Sequence, residues 1–351
     1  MSAAADPALI RIPFCRRFPA TVAVLATLAL GTATATASRA IITKGGTGRN
    51  LSRPAGEYAG RGWELTGEWG GFLGVPIAPH YFVTAKHVGG GVGQKLLFRG
   101  AAYTTVEALS CPDSDLGVWR VRERFPVWAQ LYPRRDEAGK EIFLVGRGTA
   151  RGAPVVTQQG VLRGWRWGAD DHRQSWGVNR VLGIADYTNP AGHWRNDLLT
   201  FAFDADGGPH EGIVSGSDSG GAVFLQDTDG VWKLGGILYG VDGTPYAPTA
   251  EGKGAAGGAF LDTRDLYERD RRTGEMHYHD PLRPAPEPTV AGATRISSSL
   301  PYLQSVVPDL RPFPWVWILA GVAAATTATA LAIHLRRRGS ALLQRRQARG
   351  R

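Results

Sequence analysis

Three residues far apart in the chain, His87, Asp115 and Ser219, are of the types that make a base, an orienting acid and a nucleophile. A serine hydroxyl is a weak nucleophile at neutral pH. It attacks an acyl carbon when a base takes its proton and backbone N–H groups receive the oxyanion that forms. Ser219 lies in Ser215-Gly216-Ser217-Asp218-Ser219-Gly220-Gly221-Ala222-Val223-Phe224, small residues that run into an apolar strand. Gly220 and Gly221 permit a tight turn and let a substrate carbonyl come close. Taken alone, Asp-Ser-Gly-Gly is equally a polar hairpin turn, because Ser, Asp and Gly are common turn residues.

The neighbouring elements favour chemistry over a bare turn. Tyr81 to Val88 is an apolar run that reads as a strand delivering His87 at its end, and Asp115 opens the strand-like Leu116-Gly117-Val118-Trp119-Arg120-Val121. Asp113 is the competing acid, but it sits in the turn-like Cys111-Pro112-Asp113-Ser114 and does not lead directly into the strand. The order His87, Asp115, Ser219 is that of the chymotrypsin-like arrangement and differs from the orders in subtilisins and α/β-hydrolases.

From Ile41 to Tyr267 the chain resembles the trypsin/chymotrypsin-like serine endopeptidases. Their Thr-Ala-Ala-His, Asp-Ile-Ala-Leu and Gly-Asp-Ser-Gly-Gly blocks are similar to Thr84-Ala85-Lys86-His87, Asp115-Leu116-Gly117-Val118 and Ser217-Asp218-Ser219-Gly220-Gly221. The resemblance implies an all-β fold of two six-stranded Greek-key barrels, at about 60–122 and 141–261, that cleaves a polypeptide without cofactor or metal. His87 would act as base then acid, Asp115 would orient it, and the N–H groups of Ser217 and Ser219 would hold the oxyanion. Ile213, Leu238, Tyr239 and Gly240 would form the specificity pocket. Ile213 falls where trypsin-like members carry an acid, so a preference for Arg or Lys is not expected. A terminus freshly cut at Ile41 would bring its ammonium to Asp218, although Thr43-Lys44 replaces the two glycines usual there. Ser217 stands in place of a glycine, and Lys86, in place of a small residue, is expected to point to solvent. Two other classes stay open: an esterase with the same triad, and a catalytically silent protease fold that serves as a binding module.

Length and composition fit this outline. The 351 residues include 47 Gly and 22 Pro, which favours one turn-rich β domain with terminal segments. Of the net charge of +9, residues 1–40 carry +3 and residues 336–351 carry +7, leaving −1 between them. A nearly neutral central region has no electrostatic footprint for nucleic acid. Residues 1–40 read as a signal peptide, with Arg11, Arg16 and Arg17 before an apolar run and small Ser38 and Ala40 before a cut. Cys15 would leave with it. Cys111 would then be single, a small packing residue in a domain without internal disulfides.

The remaining stretches are plainer. The domain is expected to end by 271, with a closing helix at 262–271. A Pro/Ser-rich stalk is expected at 272–312. Residues 314–335 lack Asp, Glu, Lys and Arg and would span about 33 Å as a helix, enough for a bilayer. Arg336-Arg337-Arg338 would then begin a basic cytoplasmic tail, leaving the catalytic domain outside. A cleaved C-terminal sorting signal has the same pattern. The stretch from Trp165 to Asn196, with His172 and His193, reads as a surface excursion or a substrate-facing insertion. Asp204-Ala205-Asp206-Gly207 and Asp227-Thr228-Asp229-Gly230 lack the continuation of a calcium loop and read as turns; His277-Tyr278-His279-Asp280 lacks companion ligands and reads as linker.

Overall fold

The computed structural model describes residues 41–170, 172–188 and 195–311. The expected signal peptide (1–40), transmembrane helix (314–335) and basic tail (336–351) lie outside these, as does His193. Among the described residues no helix is long and apolar enough to cross a membrane.

After β1 (Ile42–Thr43), six strands close into an antiparallel barrel: β2 (Gly67–Trp69), β3 (Phe72–Ala78), β4 (Tyr81–Ala85), β5 (Lys95–Phe98), β6 (Ala101–Ser110) and β7 (Leu116–Val121). Their order around the barrel is β2-β3-β4-β7-β6-β5, so β4 neighbours β7 rather than β5, a Greek-key path. Trp69, Phe82, Leu96, Phe98 and Phe125 pack inside it.

The second half departs from a six-stranded barrel. Its strands are β8 (Glu141–Gly146), β9 (Thr149–Val156), β10 (Leu162–Asp170), β11 (Ser175–Arg180), β12 (Gly183–Thr188), β13 (Arg195–Ala202), β14 (Gly212–Ile213), β15 (Ala222–Gln226), β16 (Trp232–Val241), β17 (Tyr246–Ala247), β18 (Gly258–Phe260), β19 (Tyr267–Arg269), β20 (Met276–Tyr278) and β21 (Val290–Arg295). Seven of them form one sheet, β11-β8-β15-β16-β21-β13-β12, and β18-β10-β9 form a smaller one. β1 pairs with β14, and β17-β19-β20 make a three-stranded patch. The excursion read at 165–196 is mostly strand, and β11 and β12 form the two edges of the large sheet.

Period-two alternation explains how the halves join. On β8, Ile142 and Leu144 face one core while Phe143 and Val145 face another; Val223 and Leu225 on β15 divide from Ala222 and Phe224 in the same way. The second face of each strand meets Val83 and Ala85 of β4 and Val118 of β7, so one apolar cluster fills the space between barrel and sheet.

The stalk and the closing helix are corrected here. Residues 262–271 form turns and β19, whereas the helix is α1 (Ile296–Val306), with Ile296 and Leu303 fully buried in the cluster between the halves. β21 is a central strand between β16 and β13. Its small residues resemble a linker for a packing reason: a Cβ on Gly292 would come 3.1 Å from Leu198, and one on Gly236 of β16 would come 3.0 Å from Ala293. The segment between β16 and β21 is therefore an insertion within the domain.

Candidate active site

The pairing of β4 with β7 sets the first two residues together. Ala85 is opposite Leu116, and one step beyond this register Lys86 N–H donates to the Asp115 carbonyl at 2.8 Å. A single 3-10 turn, Lys86–Val88, then swings His87 over the end of β7. The Asp115 carboxylate is fully buried and accepts the His87 backbone N–H at 2.9 Å on Oδ1, and its Oδ2 lies 2.6 Å from His87 Nδ1. On the other side of the ring, Nε2 is 2.8 Å from Ser219 Oγ. Asp113 is not at the imidazole; its carbonyl accepts the Arg195 N–H at 3.2 Å. Lys86 Nζ donates to the Cys111 carbonyl at 2.9 Å, so it turns away from the ring rather than simply to solvent.

Ser219 enters from the second half on the turn between β14 and β15. Gly220 has φ 78°, and a side chain there would collide with Thr84 and the Leu73 carbonyl of the barrel. Glycine is thus required where the two halves touch beside Ser219. Thr149 N–H donates to the Gly216 carbonyl at 2.9 Å. Among the described residues no peptide is cis, so in this planar unit the Ser217 N–H points opposite to that carbonyl. Among the described residues neither the Ser217 nor the Ser219 N–H donates to a partner. Ser217 has φ 67°, the left-handed region that glycine occupies without cost, and this non-glycine conformation costs about 1 kcal/mol.

Asp218 points inward. Its carboxylate accepts Gly148 N–H at 2.7 Å and Ser215 N–H at 2.8 Å, with Ser215 Oγ at 2.9 Å. Burial pushes its carboxyl up to about 7 despite these donors, and among the described residues no cationic side chain offsets the burial. Ile41 is fully buried, its carbonyl accepting Ser175 Oγ–H at 3.1 Å. Its side-chain tip and the Asp218 carboxylate both crowd the face of Gly146.

The four expected pocket residues divide. Tyr239 and Gly240 line an open cavity of about 650 Å³ beside His87, together with Tyr187, Leu198, Val241 and Val290. Ile213 and Leu238 are instead fully buried in the core of the second half. Ile213 packs in the same apolar cluster as Ile41, Leu144 and Val223, and Leu238 faces inward while its neighbour Tyr239 faces out. The Tyr239 ring stands edge-on to His87 at 5.5 Å and meets Tyr187 at 5.4 Å. Sequence reasoning gave no role to Tyr187, Thr149 or Ser215, whose contacts depend on long-range register.

The other candidate ligands have protein partners. Asp227 and Asp229 each lie 2.7 Å from Lys233 Nζ, which supplies the cation that a calcium ion would bring and pulls Asp227 down to about 2. His279 lies between Glu268 at 2.8 Å and Glu287 at 3.0 Å, one on each ring nitrogen. Among the described residues no group of three such side chains is placed to hold a metal. Cys111 is buried and free.

No family model matches the sequence, and no curated protein matches it. Among solved structures, the chain is similar to the active form of the Rv3671c protease from M. tuberculosis, at 12% identity and a TM-score of 0.37, over 67% of this chain and 73% of that one. It is also similar to neuropsin, a serine protease expressed in the limbic system of mouse brain, at 14% identity and a TM-score of 0.39, over 71% of this chain and 96% of that one. At such identities and TM-scores the likeness adds nothing to the strand pairing and side-chain geometry given above.

Proposed function

We propose that this protein is a serine endopeptidase. The observation that carries the reading is the continuous line from the Asp115 carboxylate through both nitrogens of His87 to Ser219 Oγ, with gaps of 2.6 and 2.8 Å. These lie in hydrogen-bond reach for a proton to pass from nucleophile to base. In the proposed reaction Ser219 Oγ attacks the substrate carbonyl carbon and its proton moves to His87 Nε2. The Ser217 and Ser219 N–H groups hold the oxyanion. The C–N bond breaks as Nε2 returns the proton to the leaving amine, and water then repeats the sequence on the acyl-enzyme. Asp115 keeps the proton-bearing Nδ1 toward itself, leaving Nε2 as the acceptor.

Activation at Ile41 and tethering complete the reading. The seat of Ile41 beside Gly146 supports a newly cut ammonium reaching Asp218, the buried carboxylate that has no cationic side-chain partner among the described residues. Export with a membrane anchor at 314–335 rests on the sequence of the terminal segments. Labelling of Ser219 with a fluorophosphonate tests the nucleophile. Labelling that survives in Ser219→Ala, or fails in the native chain, overturns the reading, and failure favours the silent binding module. Digestion of a peptide library separates a peptidase from an esterase.

A further inference from the structure

We infer that Arg151, remote from the triad, is a positioning residue that fastens the segment after Ile41 to the loop carrying the oxyanion donors; this rests on the proposed hydrolase reading. Arg151 lies on β9, and its guanidinium has carbonyl oxygens for partners. Nη1 donates to Thr43 O at 3.0 Å, Lys44 O at 2.6 Å and Gly45 O at 3.4 Å, and Nη2 to Gly46 O at 2.8 Å. The Trp165 ring lies under it at 4.6 Å. Burial lowers the tendency of this guanidinium to stay charged, and a desolvated cation is retained only where dipoles replace its water.

The segment is shaped around this group. Thr43 N–H closes onto Gly48 O at 2.8 Å, curling residues 43–48 so that four successive carbonyls face one cation. A Cβ on Gly48, which has φ 90°, would lie 2.5 Å from Arg151 Nε. Two residues back along β9, Thr149 N–H holds the Gly216 carbonyl and so aims the Ser217 N–H. Arg151 thus joins the curl and the oxyanion loop through three residues of one strand. Lysine cannot replace it, because a compact ammonium lacks the planar fork that spans several acceptors.

The test uses the full chain, with kcat normalised to sites titrated by fluorophosphonate. Arg151→Ala is expected to lower kcat by about 10- to 100-fold with KM changed less than about threefold, the pattern of an interaction realised in the transition state. Millimolar guanidinium should restore at least a third of the loss in Arg151→Ala and none in Arg151→Lys. Gly48→Ala, which displaces the curl without removing the guanidinium, should reproduce the kcat loss and serves if Arg151→Ala does not fold. Native kcat per titrated site in either variant overturns the positioning role while leaving the hydrolase reading intact. A lowered kcat in Arg151→Ala that guanidinium does not restore overturns it as well. Absence of labelling in the native chain overturns the hydrolase reading and this role with it.

Discussion

Replacing Asp115 by asparagine separates the orienting role of the acid from its bulk. The carboxylate is fully buried and both oxygens are engaged, Oδ1 by the His87 backbone N–H at 2.9 Å and Oδ2 by Nδ1 at 2.6 Å. Asparagine keeps the shape but offers one acceptor and one donor. If its oxygen stays on the backbone N–H, its NH₂ faces Nδ1, which must then present a lone pair. The imidazole proton moves to Nε2 and points at Ser219 Oγ, 2.8 Å away, so the base is already occupied. The opposite flip sets two donors, the NH₂ and the part-buried His87 N–H, against each other and forfeits that hydrogen bond, so the first arrangement wins. The expected loss in kcat at pH 7 is about 10⁴-fold. That corresponds to about 5.4 kcal/mol of transition-state stabilisation. Steady-state turnover of a chromogenic peptide, with concentration of folded protein fixed by thermal unfolding, measures it. With the base occupied, hydroxide is the remaining proton acceptor, so residual turnover should climb about tenfold per pH unit above neutrality. Turnover within tenfold of the native value, in a variant whose unfolding temperature is unchanged, would falsify the tautomer argument.

Ser217→Gly removes the side chain from its φ of 67° and should leave global stability within about 1 kcal/mol of native, because strain relief near 1 kcal/mol is offset by glycine's greater unfolded-state freedom; chemical denaturation checks it, and a loss above 2 kcal/mol would show that the serine side chain itself holds the loop. Burial raises Glu211 to about 8 in the folded protein against 4.5 unfolded, so its contribution favours folding below about pH 4.5 and is lost as pH rises to 8. Glu211→Gln should therefore flatten the decline in stability across that window by up to about 4 kcal/mol, and parallel native and variant curves would contradict it. An extra residue ahead of a terminus cut at Ile41 should weaken activity by displacing the ammonium from Asp218, and full activity of the extended form would remove that pairing as a requirement. Proteolysis from outside spheroplasts should release a fragment that extends through Arg311, and truncation at 280 should not fold, since it deletes a central strand and α1; a stable, soluble 41–280 fragment would refute this.

What could be read in the sequence was what local pattern encodes. The apolar runs through Tyr81–Ala85 and Leu116–Val121 set two strands, and the residues at their ends are adjacent in the structure because antiparallel pairing carries both past the same register point. The small residues around Ser219 marked a place of close approach, and the collision at Gly220 supplies the reason. Long-range partners were not legible. Val290–Arg295 has the small, polar look of a linker because its neighbours supply the bulk, and Ile213 is buried in an apolar cluster whose members Ile41 and Ile42 lie about 170 positions earlier.

The same distinction applies to the departures from the resembled blocks. Ser217 takes the left-handed conformation that its glycine counterpart would adopt freely, so the fold imposes the geometry against local preference. Such strain persists where surroundings over-determine the backbone, and the surroundings here can be named. Thr149 holds Gly216 on one side, and Asp218 anchors the chain on the other through Gly148 and Ser215. The Ser217 N–H is therefore aimed by contacts on both flanks, with its own side chain free to differ. The backbone of this turn is held by β9 and the Asp218 niche more than by the residue type at 217, which is why Ser217→Gly is expected to be mild and, in the proposed hydrolase, the loss of Arg151 severe.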